Sequence, residues 1–264
     1  MVFLSEDIET PPLPGKPFDA LVYQRATVTP GVAYSVSSWM VSLCGGSAMP
    51  NDCPSGTYMA KMLGIDPTGG TNPLAPSVVW IEDRRNFTES RWANLYSAAT
   101  AQGSTLTLFA RIRSPFRWHG AHAFVDAFSL VQAPTAQFVN LPSSVQGSVV
   151  TVRWQGSLGP DIPAIPGGTH RLVFDVQQRQ AGQTAWSDWQ MGQPAGQAAF
   201  SAGAFQGTRT YQFRLRARAE QPEGGPGAWP NHRYPGAWSQ PASVTFYNPA
   251  AGTPSAFLPL VRVR

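Results

Sequence analysis

The residue types that could carry out catalysis are present in this sequence but scattered. The four histidines are His119, His122, His170 and His232. The first two are three positions apart, but no cysteine or further histidine stands near them to complete a metal site. There is no nucleophile elbow, no HExxH segment and no paired-carboxylate motif of the kind used in glycoside hydrolysis. The sequence therefore predicts a protein that is not an enzyme.

A second group of residues has the chemistry of ligand binding. A sugar ring stacks its C–H face on an exposed aromatic side chain beside polar hydrogen-bonding groups. In Thr105–Arg113 the alternation of apolar residues leaves Phe109 on the outward face, and Trp92 and Trp118 stand in segments rich in Arg, Asn and Ser. We expect the ligand-binding residues to be Tyr58, Trp92, Phe109 and Trp118. The alternative is that these aromatic side chains cover the ends of sheets as ordinary packing.

Strands are the elements that must position these residues. Gly and Pro number 25 each and separate short segments in which apolar and polar residues alternate. The clearest segment, Thr210–Glu220, reads TYQFRLRARAE and alternates without a break, which is the period of a strand buried on one face. No stretch of helical periodicity stands out. The sequence predicts an all-β protein.

The spacing of the alternating segments predicts two domains and a tail. With 264 residues the chain is long enough for two cores. Eight segments in residues 1–132 predict a jelly roll, residues 133–248 predict a seven-stranded sandwich, and 249–264 form a C-terminal tail. In the third segment, Ala33–Leu43, the apolar residues change from even-numbered to odd-numbered positions. Ser37–Ser38 is therefore predicted to form a β-bulge that restores a single apolar face.

Composition limits the partners and the compartment. Charged residues make up only 13%, and the net charge of +4 is spread thinly, which argues against nucleic acid as a partner. No apolar run approaches the length of a membrane span, and the N-terminus lacks the regions of a signal peptide, so we expect Met1 to begin a fragment. Cys44 and Cys53 suit a disulfide that closes a loop, with reduced thiols as the alternative. Together with the polar, low-charge composition, this favours an extracellular setting.

Several segments carry family resemblances. Trp154 in VRWQ, the segment FDVQQR from Phe174, the segment AWSDW from Ala185, and Tyr211 as a tyrosine corner resemble a fibronectin type III domain. In the first domain VYQRATVTPGVAY, GIDPTGGTNP, VW and FVDAFSL resemble the jelly-roll modules of secreted bacterial surface proteins, which are similar to carbohydrate-binding modules. The resemblance implies adhesion at the cell surface, with polysaccharide or cell-surface glycan as the partner of the jelly roll.

Two carboxylates of the first domain are expected to point inward. Alternation puts Asp126 on the inward face of its strand and Glu6 on the inward face of the first strand. Buried carboxylates need a cation, and the first and last strands of a jelly roll are neighbours, so Glu6 and Asp126 could share a Ca²⁺ with backbone carbonyls. The resemblance to carbohydrate-binding jelly rolls implies such a structural calcium, although Ala127 replaces the family's second Asp. Alternatively Arg25 neutralises the pair, or both carboxylates reach solvent.

The polar face of the Thr210–Glu220 strand carries three arginines about 7 Å apart: Arg214, Arg216 and Arg218. Arginine planes stack well on tryptophan. Trp229 lies in the long Gly- and Pro-rich segment Gln221–Gly236, which is predicted to be a loop, and Trp238 lies in the strand that follows. The pattern resembles the interleaved Trp/Arg ladder of cytokine-receptor sandwiches, which implies a structural role. Asp175 on a neighbouring strand could add an ion pair. The alternative is a ladder that binds a polyanion.

The tail closes with FLPLVRVR, which resembles the terminal signature of bacterial surface proteins. Its last residues alternate apolar and basic side chains, whereas Pro259 argues against a central strand position. The tail could be an edge strand of this molecule, a strand donated to a neighbour, or a sorting or anchoring signal. The second function considered is therefore a structural subunit of a surface filament or layer that self-associates through sheet edges and the tail.

Overall fold

The computed structural model describes residues 1–6, 16–45, 53, 55–89, 92–118, 120–163, 170–220 and 233–249. These residues form strands and turns only, which confirms the predicted all-β class, and none of them belongs to a helix that could cross a membrane. In chain order the strands are β1 (Val2–Glu6), β2 (Lys16–Thr27), β3 (Ala33–Gly45), β4 (Ala60–Asp66), β5 (Val79–Asp83), β6 (Ala93–Thr100), β7 (Thr105–Trp118), β8 (Gly120–Gln132), β9 (Thr135–Phe138), β10 (Ser144–Gln146), β11 (Val149–Ser157), β12 (Arg171–Gln180), β13 (Ser187–Gln193), β14 (Gly196–Ser201), β15 (Gly207–Glu220), β16 (Arg233–Pro235) and β17 (Ala242–Asn248).

Strands β1 to β8 form a jelly roll. One sheet has the order β1-β8-β3-β6 and the other the order β2-β7-β4-β5, and neighbouring strands are antiparallel. Apart from the step from β4 to β5, each strand is followed by one in the opposite sheet, which is how a jelly roll winds. The predicted N-terminal jelly roll is confirmed.

The core of the jelly roll lies between the facing sides of its two sheets. On β7 the inward residues are those that alternation predicts: Leu106, Leu108, Ala110 and Ile112. Cys44 and Cys53 also belong to this core, and the disulfide between them joins the end of β3 to the segment before β4, with their Cα atoms 4.7 Å apart. The predicted disulfide is confirmed.

The predicted β-bulge at Ser37–Ser38 of β3 is wrong. The core residues of this strand all stand at even-numbered positions and so face the same side of the sheet: Tyr34, Val36, Met40 and Cys44. Ser38 and Ser42 face the same side. Their hydroxyls donate to backbone carbonyl oxygens, Ser38 to that of Asp126 at 3.1 Å and Ser42 to that of Met59 at 2.9 Å. Because these bonds satisfy the hydroxyls, serine is tolerated at core positions without any change of register.

The irregularity in this sheet lies on β8 instead. Ser37 pairs with Ser129, but Trp39 pairs with Asp126, so residues 127–128 together oppose a single residue of β3. Ala127 has a φ of 47°, in the left-handed region that non-glycine residues seldom adopt. The extra residue therefore turns this part of β8 away from the regular alternation.

Strands β9 to β17 form the second sandwich. A sheet of order β14-β11-β9 faces a sheet of order β10-β17-β15-β12-β13, and β16 adds to β15. The predicted fibronectin type III-like sandwich is confirmed. Phe213, Leu215 and Ala217 of β15 have no exposed surface, as the alternation of this strand predicts. Around them the rings of Trp189 and Phe200 pack edge to face, with centroids 5.4 Å apart.

The two sandwiches meet at a close junction. Val131 at the end of β8 packs with Ala219 and Tyr234 of the second sandwich. Tyr234 lies in β16, a strand inside the segment 221–236 that the sequence predicts to be a loop. That prediction is wrong for β16, because the apolar contact of Tyr234 with the jelly roll favours pairing with β15 despite the surrounding Gly and Pro.

Two glycines permit the backbone to approach closely at this junction. A Cβ added to Gly159 would lie 1.9 Å from the carbonyl oxygen of Gln132, and one added to Gly236 would lie 2.5 Å from that of Pro134. Both oxygens belong to the connection between the sandwiches. The backbone of that connection therefore fits against the second sandwich only where side chains are absent.

We expect Gly159→Ala to lower the free energy of unfolding by about 1–3 kcal/mol relative to Gly196→Ala, because the new methyl group forces the Gln132 carbonyl away. Gly196 is the matched control, since a Cβ there meets no atom within 4 Å. Urea unfolding followed by circular dichroism measures the difference. Equal midpoints for the two variants would contradict the close approach.

Candidate functional site

The outer face of the β2-β7-β4-β5 sheet carries a row of aromatic side chains across its strands. Phe109 of β7 lies between Tyr23 of β2 and Trp80 of β5, with ring centroids 6.0 and 5.7 Å away. Trp80 lies against the backbone of Gly64, where a Cβ would come within 2.8 Å of its ring, and its indole N–H donates to Pro73 O at 3.2 Å. Glycine on β4 thus makes room for the indole ring.

This row corrects the prediction for Phe109. Alternation does place Phe109 on the outer face, but its side chain is 0% exposed because Trp80 and Tyr23 lie against it. The expectation that its ring is available for stacking is therefore wrong. Tyr23 is the most exposed member of the row, at 53%.

A surface cavity of about 170 Å³ lies on the same face, and Tyr58, Ala60, Met62, Glu82, Arg84, Arg113 and Pro115 line it. The Tyr58 ring is held from two directions: the Arg84 guanidinium lies 4.7 Å from its centroid and the Phe116 ring packs edge-on at 5.3 Å. Among the predicted ligand residues, Tyr58 is the one that lines this cavity. An aromatic wall beside charged hydrogen-bonding groups is the composition that the sequence predicts for a sugar site.

The arginines around the cavity differ in how closely carboxylates bind them. Arg84 binds Glu82 through two nitrogens, and Arg111 binds Asp19 through two more, at 2.8 and 2.6 Å. The hydrogen bond from Arg111 lowers the pKa of Asp19 below its usual range, against the opposing effect of burial. The Arg113 side chain is 57% exposed, and its Nε lies 3.9 Å from Asp19 Oδ2. Arg113 is therefore the cation of this cavity that is least engaged by a carboxylate.

Of the two predicted tryptophans, Trp92 does not line this cavity. Trp92 is 39% exposed and stands just before β6, which belongs to the other sheet of the jelly roll. Trp118 ends β7 opposite Lys16, and its side chain lies outside the described residues. Their role as ligand-binding residues stays a prediction.

The register of the strands rules out the predicted calcium pair. Glu6 pairs with Gly120, six residues along β8 from Asp126, which corresponds to about 20 Å. Asp126 is exposed rather than inward-facing, and its carboxylate accepts the N–H of Ala127 at 2.7 Å. The prediction that one ion binds both carboxylates is therefore wrong. The first and last strands are neighbours as expected, but the two residues lie at different heights along them.

Calcium binding through other ligands stays a prediction. Within the described part of the chain, no three His, Cys, Asp or Glu side chains converge as metal ligands would. Backbone carbonyls and hydroxyls also bind Ca²⁺.

The outer face of the second sandwich carries a ladder of arginine and tryptophan side chains. Guanidinium groups lie 4.4–4.6 Å from indole centroids in the order Arg179, Trp186, Arg214, Trp238, Arg216. Arg214 lies between two indole rings, and burial together with the neighbouring arginines Arg179 and Arg216 lowers its pKa. Of the predicted ladder residues, Arg214, Arg216 and Trp238 take part in these stacks, whereas Trp229 lies outside the described residues.

Arg218 ends the ladder through ion pairs rather than by stacking. Its Nε lies 2.7 Å from Asp175 Oδ2, and Arg216 Nε lies 2.9 Å from the same oxygen. Asp175 has no exposed surface and also accepts the N–H of Gly192 at 3.0 Å. Burial raises the pKa of Asp175, but the hydrogen bonds from Arg218, Gly192 and Arg216 outweigh it and keep that pKa below its usual value.

Sequence reasoning missed Trp186 and Arg179 as ladder residues. Trp186 stands just before β13, which pairs with β12, and the ladder crosses β12 and β15 before it reaches Trp238. The segment AWSDW was available as a resemblance to fibronectin type III sequences. The sequence of this segment does not reveal the strand order, and the contact of Trp186 with Arg179 and Arg214 follows from that order.

Two solved structures show a distant similarity to this chain. No family model matches the sequence, and no curated protein matches it. The FN1-FN3 domains of chicken CNTN1 align with 89% of this chain and 67% of theirs, at 11% identity and a TM-score of 0.28. A chain from a cytokine receptor complex aligns over 86% of this chain and 94% of its own, at 17% identity and a TM-score of 0.25. At these TM-scores neither similarity supports an inference about function.

We expect Asp175→Asn to lower the free energy of unfolding by about 2–4 kcal/mol at neutral pH, because Arg216 and Arg218 lose the buried carboxylate that binds them both, while Glu220 still pairs with Arg218. The folded-state pKa of Asp175 lies below the usual value of an aspartate, so its contribution to stability is complete above that usual value and is lost as the pH falls through the folded-state pKa. The difference from wild type should therefore be constant near neutrality and shrink in acid, as measured by urea unfolding across pH.

Asp188→Asn is the matched control for this experiment. Asp188 lies on the adjacent strand β13, is exposed, and accepts a hydrogen bond from Gln177 at 2.7 Å. We expect a change of less than about 1 kcal/mol. A similar loss in both variants would show that the buried ion pair has no special part in stability.

Proposed function

We propose that this protein is a non-catalytic binding protein that attaches to glycan through the outer face of the β2-β7-β4-β5 sheet. The observation that supports this most directly is the cavity at Tyr58. There an aromatic ring held by Arg84 and Phe116 borders Glu82 and Arg113, so apolar and hydrogen-bonding surfaces converge on one small volume. At about 170 Å³ the cavity is smaller than pockets for drug-sized ligands, so it suits one ring of a chain rather than a whole oligosaccharide.

The balance of charges favours a glycan that carries an acidic group. Arg84 is already bound to Glu82, whereas Arg113 lines the cavity with a largely exposed side chain. A carboxylate or sulfate on the ligand would meet Arg113 in the planar, two-nitrogen geometry that guanidinium groups favour. The ring of the same sugar unit would lie against Tyr58. We therefore infer a preference for acidic over neutral glycans.

An extracellular or cell-surface location fits this function. The Cys44–Cys53 disulfide is the kind of bond that persists in oxidising compartments, and a polysaccharide or surface glycan is met outside the cell. Adhesion would then follow from the jelly roll, with the second sandwich serving as a rigid support stiffened by its Arg/Trp ladder.

The experiment is binding of the purified chain to a glycan array, followed by calorimetric titration with the best acidic ligand and its neutral analogue. We expect Tyr58→Ala and Arg113→Gln to weaken acidic-glycan binding at least about tenfold, since each removes a central contact. Arg113→Gln should also remove the preference over the neutral analogue. Melting temperatures near that of wild type would show that both variants remain folded.

Tyr247→Ala is the matched control, because Tyr247 is an exposed tyrosine that lies on β17 of the second sandwich. We expect it to bind as wild type does. Trp92→Ala and Trp118→Ala test the two predicted platforms outside the cavity. Loss of binding in those variants with full binding in Tyr58→Ala would overturn the proposed site, and an array without any bound glycan would overturn the proposed function.

A further inference from the structure

Strand β5 leaves one edge of the jelly roll without a paired strand among the described residues. It ends the β2-β7-β4-β5 sheet and pairs with β4 along its other side. Such an edge presents backbone N–H and C=O groups that a further strand can bind. β5 also carries no proline or glycine that would block pairing.

Two apolar side chains on the inner face of β5 are more exposed than their paired neighbours on β4. Val79 and Ile81 pair with Ile65 and Leu63, which are fully buried, so they lie on the inner face of the sheet. Nevertheless 42% of Val79 and 39% of Ile81 are exposed. The apolar interior therefore extends to solvent at β5, and an added strand that places apolar side chains on the same face would cover it.

The C-terminal segment Leu260–Arg264, LVRVR, has the sequence for such a strand. When its valines fall on the face of Val79 and Ile81, its arginines fall on the outer face that carries Glu82. This match holds for parallel and antiparallel pairing, since both alternate with a period of two. Pro259 precedes the segment and stays outside the paired region.

The position of β17 argues that the strand comes from a second copy. Asn248 pairs with Gly207 at the start of β15, whereas Ala219, near the other end of β15, packs on Val131 of the jelly roll. The stretch from Gly207 to Ala219 spans about 40 Å. Residues 249–259 separate β17 from the alternating segment, so the chain from Asn248 to Leu260 extends at most about 43 Å. Only a fully extended chain would bring the segment as far as the jelly roll of its own molecule, so the conformational entropy cost favours β5 of another molecule.

We propose that Leu260–Arg264 of one copy pairs with the free edge of β5 in the next copy and extends its sheet. The contact is head-to-tail, so each chain offers one strand and one edge, and repetition produces a linear assembly. This proposal is independent of glycan binding.

The test is sedimentation of the full chain over a range of concentrations. We expect a mass that rises above one chain with concentration for wild type. Deletion of residues 258–264 and the substitution Ile81→Lys should each give a single-chain mass at every concentration, because the first removes the strand and the second puts a charge on the edge. Val149→Lys is the matched control, an exposed valine of β11 in the second sandwich, and it should assemble as wild type does.

A disulfide trap tests the pairing directly. Chains carrying Ile81→Cys alone and chains carrying Val263→Cys alone are mixed and oxidised, and we expect linked pairs that contain one chain of each kind. A monomeric wild type, assembly that survives the deletion, or equal effects of Ile81→Lys and Val149→Lys would overturn the proposal. So would a chain with both cysteines that closes on itself at low concentration, because the strand would then belong to its own sheet.

Discussion

A β-sandwich buries one face of each sheet, and the hydrophobic effect acts most strongly on that face. In this protein the inner faces obey the alternation of the sequence, as Leu106 to Ile112 of β7 and Phe213 to Ala217 of β15 show. The outer faces are then free to differ. Each sandwich uses one of them for an aromatic layer: the Tyr23, Phe109 and Trp80 row on the jelly roll, and the Trp186 and Trp238 ladder on the second sandwich.

The two aromatic layers differ in what they leave available to a ligand. In the ladder the guanidinium groups stack on the indole rings, and Asp175 binds Arg216 and Arg218, so the polar face is largely saturated with internal contacts. Arginines that are stacked and paired in this way stabilise the sheet surface and have fewer hydrogen-bond donors left for a ligand. On the jelly roll, by contrast, the cavity beside Tyr58 leaves Arg113 exposed. This contrast favours the first sandwich as the binding domain and the second as its support.

Strand β5 connects the proposed binding face with the proposed assembly edge. Its outward residues Trp80 and Glu82 belong to the aromatic row and to the cavity wall, whereas its inward residues Val79 and Ile81 are half-covered at the margin of the sandwich. A strand added at this edge would leave the outer face open. An assembled row of molecules would therefore present many copies of the same cavity, and several weak sites can then act together on a polymeric glycan.

The sequence by itself determined the class of fold, the inner faces of the strands and the Cys44–Cys53 bridge, because these depend on local alternation and short separations. It failed wherever the answer required the pairing of distant strands. Burial of Phe109 depends on Trp80 and Tyr23 from two other strands, and the separation of Glu6 from Asp126 depends on the register of β1 against β8. The place of Trp186 in the ladder depends on the strand order of its sheet. Register and strand order are decided by tertiary packing, since a period of two tells which face a residue occupies but not which neighbour it meets.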